Sequence, residues 1–454
     1  MKLRSLFDDR QFYRNLFAIA VPVMLQNLIN AFVNMVDTVM VGRLGTVEIA
    51  AVGLGNQVVF LYTLILFGIV SGGSIFTAQF WGKRDLGGIR KNTGFCLLLN
   101  LLTALIFSAG AVFFPKGIIG IYSRDPLVIA SGALYLKTLA PAFIPFAVSQ
   151  VFVLTLRSTG EVKIPMVTTV IALLVNMVLN YLLIFGAGPV PPMGVAGAAA
   201  ATVAARVVEL LILLFLTYRG RYAPAGSLRE LLAFNGSFVR HFFRICIPVI
   251  LNEFVWSLGI TVQNIIFART HTGAIAAFNI TNTVSQLTWV LFIGLGNGVA
   301  VLIGNRIGEG KEAAARDYAA RIVRFAPLLA MGTALILIPL SLLLPLIFNV
   351  GGDVLKSTGQ MFIILALSYP FRAFNMSMVV GICRAGGDTV FCAVYDVIFM
   401  WAVALPLAAA ASFLLHAPVR VIYLCVTLEE PFKVILGLWR YRSGKWLHNV
   451  IGGL

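Results

Sequence analysis

The chain has 454 residues, of which 59% are hydrophobic and only 11% charged, whereas soluble domains carry about 25% charged residues. That composition excludes a water-soluble globular protein of this length, because too little charge remains to cover its surface. The net charge of +16 raises nucleic acid as a partner, but the way the basic residues are spaced argues against it.

Twelve apolar segments follow one another, each long enough to cross about 30 Å of hydrocarbon. They lie near residues 14–42, 48–80, 93–114, 128–156, 165–186, 194–218, 241–268, 275–304, 318–347, 354–383, 389–413 and 417–439. Backbone polar groups in lipid must pair within their own segment, so these segments are predicted helices. No ten-residue alternation suggests a barrel. The predicted fold is an all-α membrane protein with about twelve transmembrane helices.

Basic residues cluster at every second connection, among them Arg10 and Arg14, Lys83 and Arg84, Arg157 and Lys163, Arg219 and Arg221, Arg306 and Lys311, Arg384, and Arg440 and Arg442. The intervening connections are nearly free of them, and GAGPVPPMG (186–194) has none. This positive-inside pattern places both termini in the cytoplasm of a cell that carries the chain in its plasma or inner membrane. Contact of the basic residues with anionic membrane lipids is a secondary reading. No removable leader is expected ahead of the first span, which is expected to act as its own insertion signal. The five cysteines have no CxxC spacing and are read as small apolar groups.

The first span carries an unexpected polar stripe. Gln26, Asn30, Asn34 and Asp37 fall within about 80° of one another around a helix. Amides suit helix–helix contacts, but a carboxylate costs at least ~2.5–3.5 kcal/mol in that setting. Asp37 is therefore a candidate coupling site. It can take and release a proton, or its oxygens can hold a hard cation such as Na⁺. Pro22, earlier in the same span, removes a backbone hydrogen bond and marks either a hinge or a passive kink.

The fifth span places Asn176 and Asn180 one turn apart, and the sixth places Thr202, Arg206 and Glu209 on one face. Arg206 and Glu209 are read mainly as a structural ion pair. In the seventh span Pro248 matches Pro22, and Glu253, Ser257 and Asn264 share a face. Asn279, Asn282, Thr283 and Gln286 share one on the eighth. Gln26, Asn30, Asn34, Glu253, Ser257, Asn282 and Gln286 are candidates for a substrate or second ion site. Asp396, in the eleventh span, is a further intramembrane carboxylate.

The two halves of the chain match each other. A shift of 226 aligns IAVPVMLQNLINAF (19–32) with ICIPVILNEFVWSL (245–258), Asn56 with Asn282, and Gly72 with Gly298; Gln263 then stands where Asp37 does. A shift of 227 aligns Arg157 and Gly160 with Arg384 and Gly387. The expected organisation is an N-lobe (1–218), a cytoplasmic linker (219–240) and a C-lobe (241–454), two six-helix units related by a pseudo-two-fold axis along the membrane normal.

PVMLQNL, VDTVMVGRLG, QFWG, RSTGEVKIPM and CRAGGDT resemble the multidrug and toxic compound extrusion family across essentially the whole chain. The resemblance implies a bacterial-type exporter of amphipathic, often cationic, compounds in exchange for H⁺ or Na⁺, with a cavity between its lobes. It maps the family's helix 1 carboxylate onto Asp37, and its helix 5 and helix 6 ligands onto Asn176 and Thr202. Where the family has an aspartate one turn after that asparagine, this chain has Asn180, which favours proton coupling over a sodium site at Asp37. The helix 7 carboxylate of other branches falls on Glu253, with no acid near Ala373 to partner it.

The reading is a secondary antiporter that uses no cofactor beyond its coupling ion, acts as a monomer, and binds small organic compounds and membrane lipids but no nucleic acid. The rival within the superfamily is a lipid-linked precursor flippase. The rival from another class is a membrane-embedded enzyme, for which the four scattered histidines give no convergent catalytic set.

Overall fold

The computed structural model describes residues 9–186, 191–270, 272–340 and 351–452. Lys2, Arg4 and His271, the middle of GAGPVPPMG and the end of the ninth predicted span lie outside that set. The described residues are helical throughout, and their only β-type pairing is an isolated bridge between Gly387 and Leu447.

The spans are α1 (Arg10–Gly42), α2 (Thr46–Gly82), α3 (Leu86–Phe113), α4 (Pro126–Ser158, with a tighter turn at Ala140–Ala142), α5 (Lys163–Phe185) and α6 (Gly194–Arg219). After a linker come α7 (Gly236–Thr270), α8 (Thr272–Gly308), α9 (Glu312–Leu340), α10 (Gly352–Arg384) and α11 (Thr389–Leu414). Among the described residues these 11 helices are long and apolar enough to cross a membrane. The twelfth predicted span is divided into α12 (Val419–Thr427) and α13 (Glu429–Ser443). Pro431 explains the break. It has no N–H for the Thr427 carbonyl one turn earlier, and its ring crowds that carbonyl. Pro406 likewise follows a widened turn at Met400–Ala404 within α11.

Local sequence sets the ends. The Asp85 carboxylate accepts from Gly88 N at the start of α3, and Asp125 accepts from Leu127 N ahead of Pro126 in α4. Gly186 closes α5 at φ 78°, a left-handed value that suits glycine. Outward faces keep large apolar groups, including Ile106, Phe113, Leu211, Ile336 and Ile435, each more than two-thirds exposed or nearly so, as lipid-facing surfaces require.

Contacts divide the chain into two compact units, Leu25–Phe242 and Met1–Met24 with Phe243–Leu454. Both dividing points fall inside proline-bearing helices, α1 and α7. In the first unit α5 packs along most of α6, and α2 packs on α3 and α4. Tyr62, Leu66, Leu136 and Phe143 form one core there. The linker belongs to this unit. Arg90 pairs with Glu230 at 2.6 Å, and Phe242 stacks on Phe76. In the second unit α10 packs against α8 and α9. Its core joins Phe267, Phe278, Phe292, Tyr369 and Tyr395 to Phe12 and Leu16 from the start of α1. Gly294 and Gly298 let α8 approach α1 closely. A Cβ on Gly294 would lie 2.4 Å from Met24 Cγ and 3.0 Å from the Ala20 carbonyl. The glycine run 294–298 thus serves helix packing.

Candidate functional site

In the first unit, α1, α5 and α6 bring four candidate residues together. Asn180 Nδ2 donates to Asp37 Oδ1 at 2.7 Å and to Asn176 Oδ1 at 3.3 Å. Asn176 Nδ2 donates to Thr202 Oγ1 at 3.4 Å, and Thr202 Oγ1 donates to the Ala198 carbonyl. Asn176 and Asn180 are buried, while Asp37 and Thr202 are partly accessible. The i, i+4 spacing stacks the two amides on one face of α5, and the close α5–α6 packing supplies the threonine. Asn180 Oδ1 is buried with no hydrogen-bond partner among the described residues. The site thus presents one carboxylate, one free amide oxygen and a short amide–hydroxyl chain behind them.

The donor set bears on the ion. A hard cation seeks several oxygens, preferably with more than one charge. Here the amide nitrogen of Asn180 occupies the approach to Asp37 Oδ1, and the Asn176 oxygen is already accepting a hydrogen bond. Beside this site, Met35, Val36, Val39 and Met40 of α1, Arg43 just after it, and Tyr181 and Phe185 of α5 line a groove of about 220 Å³.

Gln26 lies elsewhere, in a second and deeper network. Its Nε2 donates to Thr169 Oγ1 at 2.6 Å and to the Pro165 carbonyl at 3.3 Å, and its Oε1 accepts from Arg157 Nη2. Thr169 then donates to Glu209 Oε1 at 2.9 Å, and Glu209 pairs with Arg206 at 2.8 Å. The Arg206–Glu209 ion pair therefore exists, and it belongs to a chain of polar groups running from α1 to α6. Asn30 is partly buried, and Asn34 is exposed on α1.

The second unit repeats the motif with charges. Arg384 Nη2 pairs with Glu253 Oε1 at 2.7 Å. The separation is 131 residues, the same as between Gln26 and Arg157. Asn252 donates to Asp396 Oδ2 at 3.3 Å, and Lys433 contacts Asp396 Oδ1 at 3.2 Å. Arg372 contacts Glu430 at 3.2 Å, and Asn375 joins Glu430 to Tyr395. Ser257 donates to the Phe254 carbonyl within its own helix. Asn282 is partly buried and Gln286 exposed on α8. These three are not brought to Glu253 by any side-chain hydrogen bond among the described residues.

Sequence reasoning missed Arg157, Thr169, Arg384, Glu429, Glu430 and Lys433 as interior polar groups. Arg157 and Arg384 had been counted as basic residues of the cytoplasmic edge, yet Arg384 is 5% exposed and the buried Nε of Arg157 has no hydrogen-bond partner. Their matching positions in the repeat were the available signal.

Comparison with known proteins identifies the family and the fold. The MatE family model matches residues 22–182 and again 248–410, one copy per half. The chain is 23% identical over 435 residues to the uncharacterized transporter YisQ of Bacillus subtilis, covering 96% of this chain and 95% of that one. It is 25% identical over 441 residues to a probable multidrug resistance protein NorM of Thermotoga maritima, covering 95% and 93%. A crystal structure of MATE in complex with MaL6 superposes with a TM-score of 0.86 at 17% identity, over 95% of this chain and 96% of that one.

Proposed function

The chain belongs to the MatE family of membrane transporters, and from that premise we propose that it is a secondary active antiporter exporting amphipathic, often cationic, organic compounds in exchange for H⁺. It works as a multi-pass protein of the cell membrane, with both termini in the cytoplasm. The observation that carries the reading is the Asp37 carboxyl in the C-terminal part of α1, held by Asn180 and backed by Asn176 and Thr202. Proton uptake at Asp37 removes the charge that the Asn180 amide faces, so the two protonation states favour different arrangements of α1 against α5. A ligand shifts such an equilibrium only by its differential affinity for the two states, and Asp37 supplies that difference for the proton. The apolar groove beside it, lined by two methionines, suits the apolar body of an amphipathic substrate. Pro22 and Pro248 act as hinges in this scheme. Their support is that both unit boundaries fall inside the helices that carry them. Gln26 and Glu253, each tied to an arginine, hold helix positions.

The test is efflux of a fluorescent organic cation from proteoliposomes, driven by a pH gradient alone or a sodium gradient alone, for wild type and Asp37→Asn. Efflux driven by the pH gradient and lost in the variant is the expected result. Sodium-driven efflux in wild type would overturn the proton assignment. Failure of both gradients would overturn the export reading, and flipping of a lipid-linked precursor would then be assayed.

A further inference from the structure

The second unit holds a charge imbalance that Asp37 does not explain. α7, α10, α11 and α13 enclose four carboxyl groups, Glu253, Asp396, Glu429 and Glu430, against three bases, Arg372, Arg384 and Lys433, among the described residues. Three of the acids have a dedicated base: Glu253 has Arg384, Glu430 has Arg372, and Asp396 has Lys433. Glu429 is left over. Its side chain is 8% exposed, its Oε2 lies 3.4 Å from the Lys433 ammonium already bonded to Asp396, and that oxygen makes no hydrogen bond.

The groups facing Glu429 do not favour its charge. Glu430 is its neighbour on α13, and Asp396 of α11 lies across Lys433. Arg372 of α10 is engaged by Glu430, with Tyr423 of α12 on that side. One lysine thus serves two carboxylates, with a third beside them. A buried carboxylate without a base of its own is disfavoured against its neutral acid, which is also a hydrogen-bond donor. By breaking the helix just before Glu429, Pro431 leaves the acid at the start of α13, one turn from Lys433.

We propose that Glu429 is a second proton-binding site, in the second unit, whose proton balances the Glu253–Asp396–Glu429–Glu430 cluster against its three bases. Its place in the transport cycle rests on the antiport reading above; its protonation does not. Loss of the proton leaves Lys433 shared by two carboxylates and loosens α13 from α11, so the site links proton release to the packing of these helices.

The experiment is infrared difference spectroscopy of the purified full-length protein in lipid, stepped from alkaline to acidic pH and read at the C=O stretch of protonated carboxyl groups. Wild type and Asp37→Asn are expected to share a band that Glu429→Gln lacks and Glu429→Asp restores. Lys433→Met removes a base, so its protonated-carboxyl signal is expected to exceed that of wild type. Transport by Glu429→Gln is expected to persist with a lower proton-to-substrate ratio. A Glu429→Gln spectrum identical to wild type overturns the proposal. If that variant does not fold, an unchanged carboxyl signal in Lys433→Met overturns it instead. If no gradient drives wild-type transport, antiport fails, while the band still decides Glu429.

Discussion

Gly197 sits where α6 crosses the end of α5, and it offers a test of how the Asp37 site is assembled. A Cβ at this position would lie 2.4 Å from the Leu183 carbonyl oxygen, 2.6 Å from its carbon and 3.0 Å from Ile184 N. All three atoms are backbone, so no rotamer change relieves the overlap. Reaching ordinary contact requires the two helices to separate by about 1 Å, and overpacking of this kind costs about 1–3 kcal/mol. The Asn176–Thr202 hydrogen bond is already at 3.4 Å, so that separation breaks it. Its loss adds about 0.5–1.5 kcal/mol. Gly197→Ala is therefore expected to lower thermal stability in detergent, read as loss of the monodisperse peak after heating. It is also expected to reduce transport in proteoliposomes at a temperature where the protein remains folded. Gly53→Ala, at a site with nothing within 4 Å, is the control and should match wild type. Wild-type stability and transport in Gly197→Ala would refute the view that α5–α6 contact holds the site together.

Two other perturbations follow from the networks. Gln26→Ala leaves the Arg157 guanidinium buried without its acceptor and is expected to cost about 3 kcal/mol; Gln26→Glu recreates the Arg384–Glu253 pairing and should be tolerated, both read by the same heating assay. At the linker, the Ser227 backbone N–H, then its hydroxyl and Arg90, hold the Glu230 carboxyl below the usual carboxylate range. This anchoring is complete above that range and is lost as pH falls through the lowered value. Limited proteolysis of residues 219–240 should therefore accelerate only in strong acid for wild type, and already at neutral pH for Glu230→Gln.

The spans and the polar faces were legible in the sequence because each depends on spacing along single helices, whereas the meeting of Asp37, Asn176, Asn180 and Thr202 across three helices was implied only by the family resemblance. What periodicity could not supply was depth. Gln26 and Asp37 share a face of α1 but lie about 16 Å apart along its axis, at 1.5 Å per residue. One stripe therefore serves two separate hydrogen-bond networks. Arg157 and Arg384 were read as edge residues because a charge count knows sequence position and not direction. Both turn inward, and only the fold reveals the carboxyl groups and amide waiting for them. The break before Glu429 was present in Pro431, yet an apolar window averages over one proline.

The assignment of Met1–Met24 to the second unit has a consequence for biosynthesis. Phe12 and Leu16 leave the ribosome well before Tyr318, against which Phe12 packs with ring centroids 4.7 Å apart and which emerges roughly 300 residues later. The first unit, by contrast, is fully synthesised by Phe242 and can assemble before that partner exists. This segment must wait, inserted but unpaired, until α8 and α9 arrive. Sequence order and folding order therefore differ, and completion of the second unit closes over a segment made long before it.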